Sequence, residues 1–310
     1  MIPLLLALAA DGIDWRGDYD AARTEAREKN RRLLVHFYTP NRPLCQTMDA
    51  ETFGHPDVAR AVRERFVGVR LDGETRSDLF EALIGSRGVL ASCVVDSDGD
   101  VLSELRGYAG PQTFLRFLEK AESGVAAVKS ARQALESAPD DPGRLYALAE
   151  AYRSSDSPRR ADECYTKAAA APGSDPAIAA AHERLARLRV MRGRNIDARK
   201  HLEEARRRDP DGHSTAVDRL LLTEGLVLAV ERRHLEAAAV LRDALQRFPS
   251  SAEQDHLLFA LGFVLHQASQ DKPALAALED LAKRHPDSSW MPAARELMDH
   301  IRNPQPDHQH

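Results

Sequence analysis

Cys45, His36 and Arg42 are the residues of this chain whose types and spacing bear most directly on chemistry. Cys45 stands where an apolar run, Leu33-Leu34-Val35-His36-Phe37-Tyr38, has passed through Asn41-Arg42-Pro43-Leu44 toward an amphipathic segment beginning at Gln46. A thiol in the first turn of a helix feels the positive end of the macrodipole, which favours the thiolate, the attacking form. An imidazole at His36 would lower the thiol pKa or accept its proton, and the pair would then form an adduct or a mixed disulfide. The same residues fit an opposite role, with Cys45 a small buried hydrophobe and His36 a satisfied core histidine. Arg42, a cation at a helix start, opposes the dipole unless an anion lies between them. A carboxylate or phosphate of a partner would supply that anion; extension into water is the alternative.

The elements that must hold these residues can be read from periodicity. Residues 19–29 form a polar helix with Ala21, Ala22 and Ala26 on one face, and 32–38 a buried strand. Residues 56–66 are helical, 67–71 a strand closed by Asp72-Gly73, 77–84 a short helix and 89–95 a third strand. Asp96-Ser97-Asp98-Gly99-Asp100 reads as a hairpin turn into a strand at 101–105. A helix at 112–122, with Phe114, Leu115 and Leu118 inward, closes the unit.

This order, with Phe37-Tyr38, Cys45, Met48 and Thr52-Phe53 in register, resembles the thioredoxin fold over about the first 120 residues. The hairpin and the following Arg106-Gly107-Tyr108 resemble the same subgroup. In that family two cysteines three residues apart exchange disulfides, the first attacking and the second resolving. The resemblance puts Cys45 at the second position and Arg42 at the first, where a guanidinium cannot attack. The tryptophan that usually precedes is Asn41, and the proline usually opposite the pair is Leu90. Three hallmarks are thus missing together, and a dithiol cycle is not expected. His36 falls where the family keeps a buried carboxylate.

From about residue 125 the composition turns to Ala/Leu/Arg/Glu-rich helices punctuated by proline. Ala161, Tyr165, Ala168 and Pro172 share a pattern with Ala198, Leu202, Ala205 and Pro210, and it recurs at Ala237, Leu241, Ala244, Pro249 and at Ala274, Leu278, Leu281, Pro286. The prolines step by 38, 39 and 37 residues (172, 210, 249, 286). Each is preceded by a helix with small and large apolar residues, among them Leu221/Gly225/Leu228 and Leu258/Leu261/Gly262/Leu265. Residues 125–137 offer a preceding helix and 291–301 a capping one. The pattern resembles the tetratricopeptide repeat, whose period is ~34 residues, with the excess absorbed in loops. The resemblance implies a solenoid whose first helices line a concave face. On that face the third and fourth repeats would present Leu222, Leu226, Val230, Phe259 and Phe263. The first two would present Tyr146, Glu150, Arg153, Glu183 and Arg187. A groove polar at one end and apolar at the other suits an amphipathic helix or extended peptide; burial by neighbouring packing is the alternative. The asparagine–lysine clamp by which some such repeats hold a C-terminal carboxylate cannot be assembled, since Asn195 is the array's lone asparagine before residue 303.

Composition narrows the classes. With 43 basic and 48 acidic residues the formal charge is −5, without the basic excess of a nucleic-acid binder. Arg206-Arg207-Arg208 caps a helix C-terminus. Three scattered cysteines, Cys45, Cys93 and Cys164, form neither a disulfide framework nor a Cys-x-x-Cys zinc motif. Cys93 reads as core and Cys164 as part of a repeat helix. The Asp96–Asp100 turn lacks the sixth-position glycine and twelfth-position glutamate of a calcium loop. The terminal His308 and His310 have no partner set for a metal. Residues 1–10, apolar and ending in Ala-x-Ala fashion before Asp11-Gly12, read as a clipped export signal or a first strand. They are too short to span a bilayer.

The sequence therefore predicts an α/β thioredoxin-like domain followed by an all-α tetratricopeptide solenoid. The expected divisions are residues 1–12 as the signal or strand segment, 13–122 as the thioredoxin-like domain, 123–302 as the repeat array with its cap, and 303–310 as a polar tail. The expected function is non-catalytic binding of a protein or peptide in the repeat groove, without cofactor, metal, nucleic acid or membrane span. The rival is a thiol–disulfide oxidoreductase working through Cys45, with His36 and Arg42 beside it.

Overall fold

The computed structural model describes residues 12–85, 88, 90–210 and 217–303. The apolar N-terminal run, Val89 at the head of the expected third strand, and the tail from 304, with His308 and His310, lie outside the described residues. The chain divides into two compact units, with the division falling between Cys164 and Tyr165.

The first unit is built on a five-stranded sheet in the order β1-β3-β2-β4-β5. Its strands are β1 (Trp15–Arg16), β2 (Arg32–Tyr38), β3 (Phe66–Asp72), β4 (Ala91–Val95) and β5 (Val101–Arg106). β3 runs parallel to both β1 and β2, while β2–β4 and β4–β5 are antiparallel. β2 sits at the centre and is buried on both faces, which explains why it reads as a continuous apolar run rather than an alternating one. Leu33, Val35 and Phe37 share a core with Ala22 and Ala26 of α1 (Tyr19–Glu28) and with Phe80, Leu83 and Ile84 of α4 (Ser77–Ile84). α1 is started by Asp18, whose carboxylate accepts from Ala21 N at 2.8 Å.

Between β2 and β3 lie α2 (Pro43–Thr47), a π-helical turn (Met48–Phe53) and α3 (Pro56–Arg65). The π turn pulls Phe53 inward and ties Thr52 Oγ1 to Ala109 O at 2.6 Å. β1 was not anticipated. Two residues with no alternation carry no strand signal, and pairing Trp15 with Gly68 on β3 makes the strand.

α5 (Pro111–Glu136) is one helix of 26 residues, continuous where the sequence suggested a break after 122. Gly124, in its middle, marks a close approach: a Cβ there would stand 1.8 Å from Ser155 Oγ. Ser155 ends α6 (Pro142–Ser154), and the turn that follows lies along the sheet edge. Glu104 N of β5 donates to Asp156 O at 3.0 Å, and Ser157 Oγ donates to Val101 O at 3.4 Å. Arg132 of α5 pairs with Asp96 at 2.9 Å and Asp100 at 2.7 Å, so the acidic hairpin turn is neutralised by the protein itself.

Helices continue as α7 (Pro158–Ala170), α8 (Pro176–Met191), α9 (Asn195–Arg208), α10 (Val217–Val230), α11 (His234–Arg247), α12 (Gln254–Gln267), α13 (Asp271–Arg284) and α14 (Met291–Arg302). The pairs α8–α9, α10–α11 and α12–α13 pack against each other, and α14 caps α13 and α12. Gly225 and Gly262 let paired helices approach, since a Cβ at either would fall within 2.7 Å of Leu241 or Leu278. The turns after α6, α8, α10 and α12 repeat one device. A residue with left-handed backbone, Asp156, Gly193, Arg232 or Ser269, is followed by an N–H that reaches back to the carbonyl five residues earlier. This is the Schellman ending of a helix.

Candidate functional site

Cys45 lies in the first turn of α2, with Pro43 at its start and Arg42 as its N-cap. The side chain is buried, the residue being 3% exposed, and Sγ accepts from Thr39 N at 3.5 Å. His36 is wholly buried on β2. Its ring lies 4.6 Å from Phe53 and 5.9 Å from Trp15, and Nδ1 stands 3.0 Å from Ser92 Oγ while Nε2 has no partner among the described residues. Burial, reinforced by the charge of Arg70, pushes its pKa down to about 3. Such an imidazole is neutral at pH 7 and a poor proton acceptor. The two side chains take separate partners: Cys45 Sγ the Thr39 N–H, and His36 Nδ1 the Ser92 hydroxyl.

Arg42 turns outward. Its guanidinium is 59% exposed and stands 3.8 Å from Glu74, an equally exposed carboxylate just ahead of α4. The anion set against this cation therefore comes from the chain itself, in a pair that water screens to little energetic worth. Leu90, just ahead of β4, is buried, and its carbonyl accepts from Gly107 N at 2.9 Å. Cys93 is fully buried in β4, paired with Val35 on the opposite strand, and burial together with Glu104 pushes its thiol well above the usual range. All three cysteines are free thiols. Among the described residues, no group of three or more His, Cys, Asp or Glu is placed to hold a metal ion.

The second unit holds a different kind of site. A groove of about 750 Å³ is lined by Leu226 and Val230 of α10 and by Phe259 and Phe263 of α12, with Val190 of α8 and Trp290 at the start of α14. Val230 and Phe263 are 48% and 42% exposed, unusual for such side chains. Trp290 stacks on Phe259 at 4.9 Å and on His256 at 4.2 Å, which makes a flat aromatic wall. His256 Nδ1 accepts from Arg187 at 2.9 Å, and Arg187 also pairs with Glu253 at 3.1 Å.

Four of the five apolar residues expected on the concave face line this groove. Leu222 does not. It is fully buried in a core with Leu241, Leu257 and Leu261, because α12 packs over the N-terminal half of α10. Glu183 is likewise buried rather than displayed, held by Thr223 Oγ1 at 3.1 Å and Arg219 at 3.4 Å between α8 and α10. Helical periodicity assigns a face but cannot see the cover laid on it by the neighbouring helix. Trp290 and His256 escaped notice, although a lone tryptophan just before a capping helix was a usable signal.

A family model of thioredoxin-like proteins matches residues 14–96. No curated protein matches the chain. Among solved structures, one chain of the APC/C hetero-tetramer Cut9–Hcn1 aligns with 60% of this chain at 13% identity and a TM-score of 0.50, and this chain spans about a third (35%) of that one. The oxidised C-terminal domain of Neisseria meningitidis DsbD covers 34% of this chain and 98% of its own length at 26% identity, with a TM-score of 0.29. A tetratricopeptide-repeat protein of Thermus thermophilus covers 59% here and 93% of itself at 21% identity and a TM-score of 0.40.

The class these features define is an α/β thioredoxin-like domain followed by an all-α array of tetratricopeptide-like helix pairs. The thioredoxin-like part is the stretch that bears Cys45, His36 and Arg42, and the array is the part that bears the groove. Among the described residues no helix is long and apolar enough to cross a membrane.

Proposed function

We propose that this protein binds a peptide segment of a partner protein in the repeat groove and that its thioredoxin-like domain is non-catalytic. The observation that carries the reading is the groove itself, where Leu226, Val230, Phe259, Phe263 and Trp290 leave a large apolar surface open in an otherwise charged array. Surface of that kind marks binding sites in water-soluble proteins. The state of the thioredoxin-like site supports the second half. Arg42 replaces an attacking thiol, Cys45 is shielded from solvent, and His36 is neutral and engaged with Ser92. The apolar residues 1–10 support export as part of the same reading, and cell fractionation checks it.

The test is a double substitution, Phe259→Ala with Phe263→Ala. Both side chains are partly exposed, so the array keeps its fold by circular dichroism while peptide affinity falls at least tenfold. Unchanged affinity in a folded double variant removes the groove from the proposal.

A further inference from the structure

We infer that the groove selects an acidic peptide, one that carries two large apolar side chains and a carboxylate at the end of the segment that meets Arg232. The inference rests on the groove being the binding site and adds the chemistry of what it takes.

Charge is the observation that carries it. Of the residues lining the groove, Arg232 alone is formally charged at neutral pH, and no carboxylate lines it. Neighbouring charges are already matched: Arg199 and Arg233 pair with Glu231, and Arg187 pairs with Glu253. Arg232 is exposed and has no acidic partner among the described residues. An unpaired cation on the wall of an apolar trough complements a carboxylate of the occupant.

The turn itself does not call for arginine: Arg232 is its left-handed residue, with φ 62°, and the equivalent positions of the other turns carry Asp156, Gly193 and Ser269. A charge at 232 is therefore free to serve the groove rather than the turn.

The probes are fluorescein-labelled ten-residue peptides bearing Phe and Leu anchors followed by Asp-Glu, by the amides Asn-Gln, or by Lys-Lys, titrated against the full chain by anisotropy. The acidic peptide is expected to bind about fivefold tighter than its amide twin, and 0.5 M salt should erase the difference. Arg232→Gly should abolish the preference with no loss of thermal stability, and Arg232→Glu should invert it toward Lys-Lys. Equal affinity of acidic and amide peptides, or a preference that survives Arg232→Glu, overturns the inference while leaving the groove as the binding site. If none of the peptides binds, the groove reading itself falls. A dimer of the full chain that Phe259→Ala with Phe263→Ala dissociates makes a second copy the occupant and overturns the inference as well.

Discussion

Replacing His36 with a side chain that cannot titrate tests the account of the thioredoxin-like site most directly. In the folded chain its pKa is held down to about 3, against 6.5 for an unperturbed imidazole. Below pH 6.5 the unfolded chain takes up a proton at this residue, and the folded chain does not until about pH 3. Stability is therefore lost as pH falls through that window. Each unit of separation is worth 1.36 kcal/mol, so between pH 7 and pH 4.5 the loss is about 2.5 kcal/mol, and about 5 kcal/mol once both forms are protonated. His36→Gln removes this loss while leaving a partner for Ser92 Oγ. Trp15, whose ring is 5.9 Å from that of His36, reports unfolding of this unit in a Trp290→Phe background. Urea titrations at pH 7, 5.5 and 4.5 should show the wild type losing about 2.5 kcal/mol more than the variant across that range. Carboxylates such as Glu25, held at about 2 mainly by its hydrogen bonds from Arg16 and Lys29, contribute equally to both proteins. Parallel pH profiles would mean that His36 titrates near 6.5 in the native state. The ring would then be in contact with water and able to serve Cys45 after all.

A thiol-reactive disulfide added to the folded chain should label the half-buried Cys164 first, with Cys45 and Cys93 reacting only on unfolding; rapid labelling of Cys45 that plateaus below pH 7 would restore the oxidoreductase reading. Gly124→Val should lower the stability of the first unit by about 2 kcal/mol, since its branched side chain must displace Ser155, and a melting temperature equal to the wild type's would show that α5 and the turn after α6 are not in contact.

The sequence carried the fold where burial leaves a periodic trace. β2 matched its expected bounds because both faces are apolar, and the helix pairs followed their prolines. β1 could not be read, since Trp15–Arg16 become a strand only by pairing with β3. Nor could the continuity of α5. Ser123-Gly124 reads locally as a breaker, and only the approach of Ser155 explains a glycine inside a helix. At the thioredoxin-like site the arginine at position 42 was legible directly from the sequence. Its partner Glu74 was not, being brought close by a loop 32 residues away (74 − 42). In the groove, residue spacing gave Phe259 and Phe263 but not Trp290, which arrives from the next helix.

The hydrogen bonds from Glu104 to Asp156 and from Ser157 to Val101 bear on how this chain can be cut and joined. A free strand edge recruits other strands, and proteins guard against that by covering it. Here the guard for β5 lies some fifty residues downstream, in the turn after α6. A fragment ending near residue 122 would keep every strand of the sheet yet leave β5 open along its outer side and α5 halved. Such a piece would be expected to aggregate, and the shortest stable version of the α/β part should instead run past residue 157. The sheet and the turn after α6 thus belong to one compact unit, and whatever inherits the sheet must inherit that turn with it.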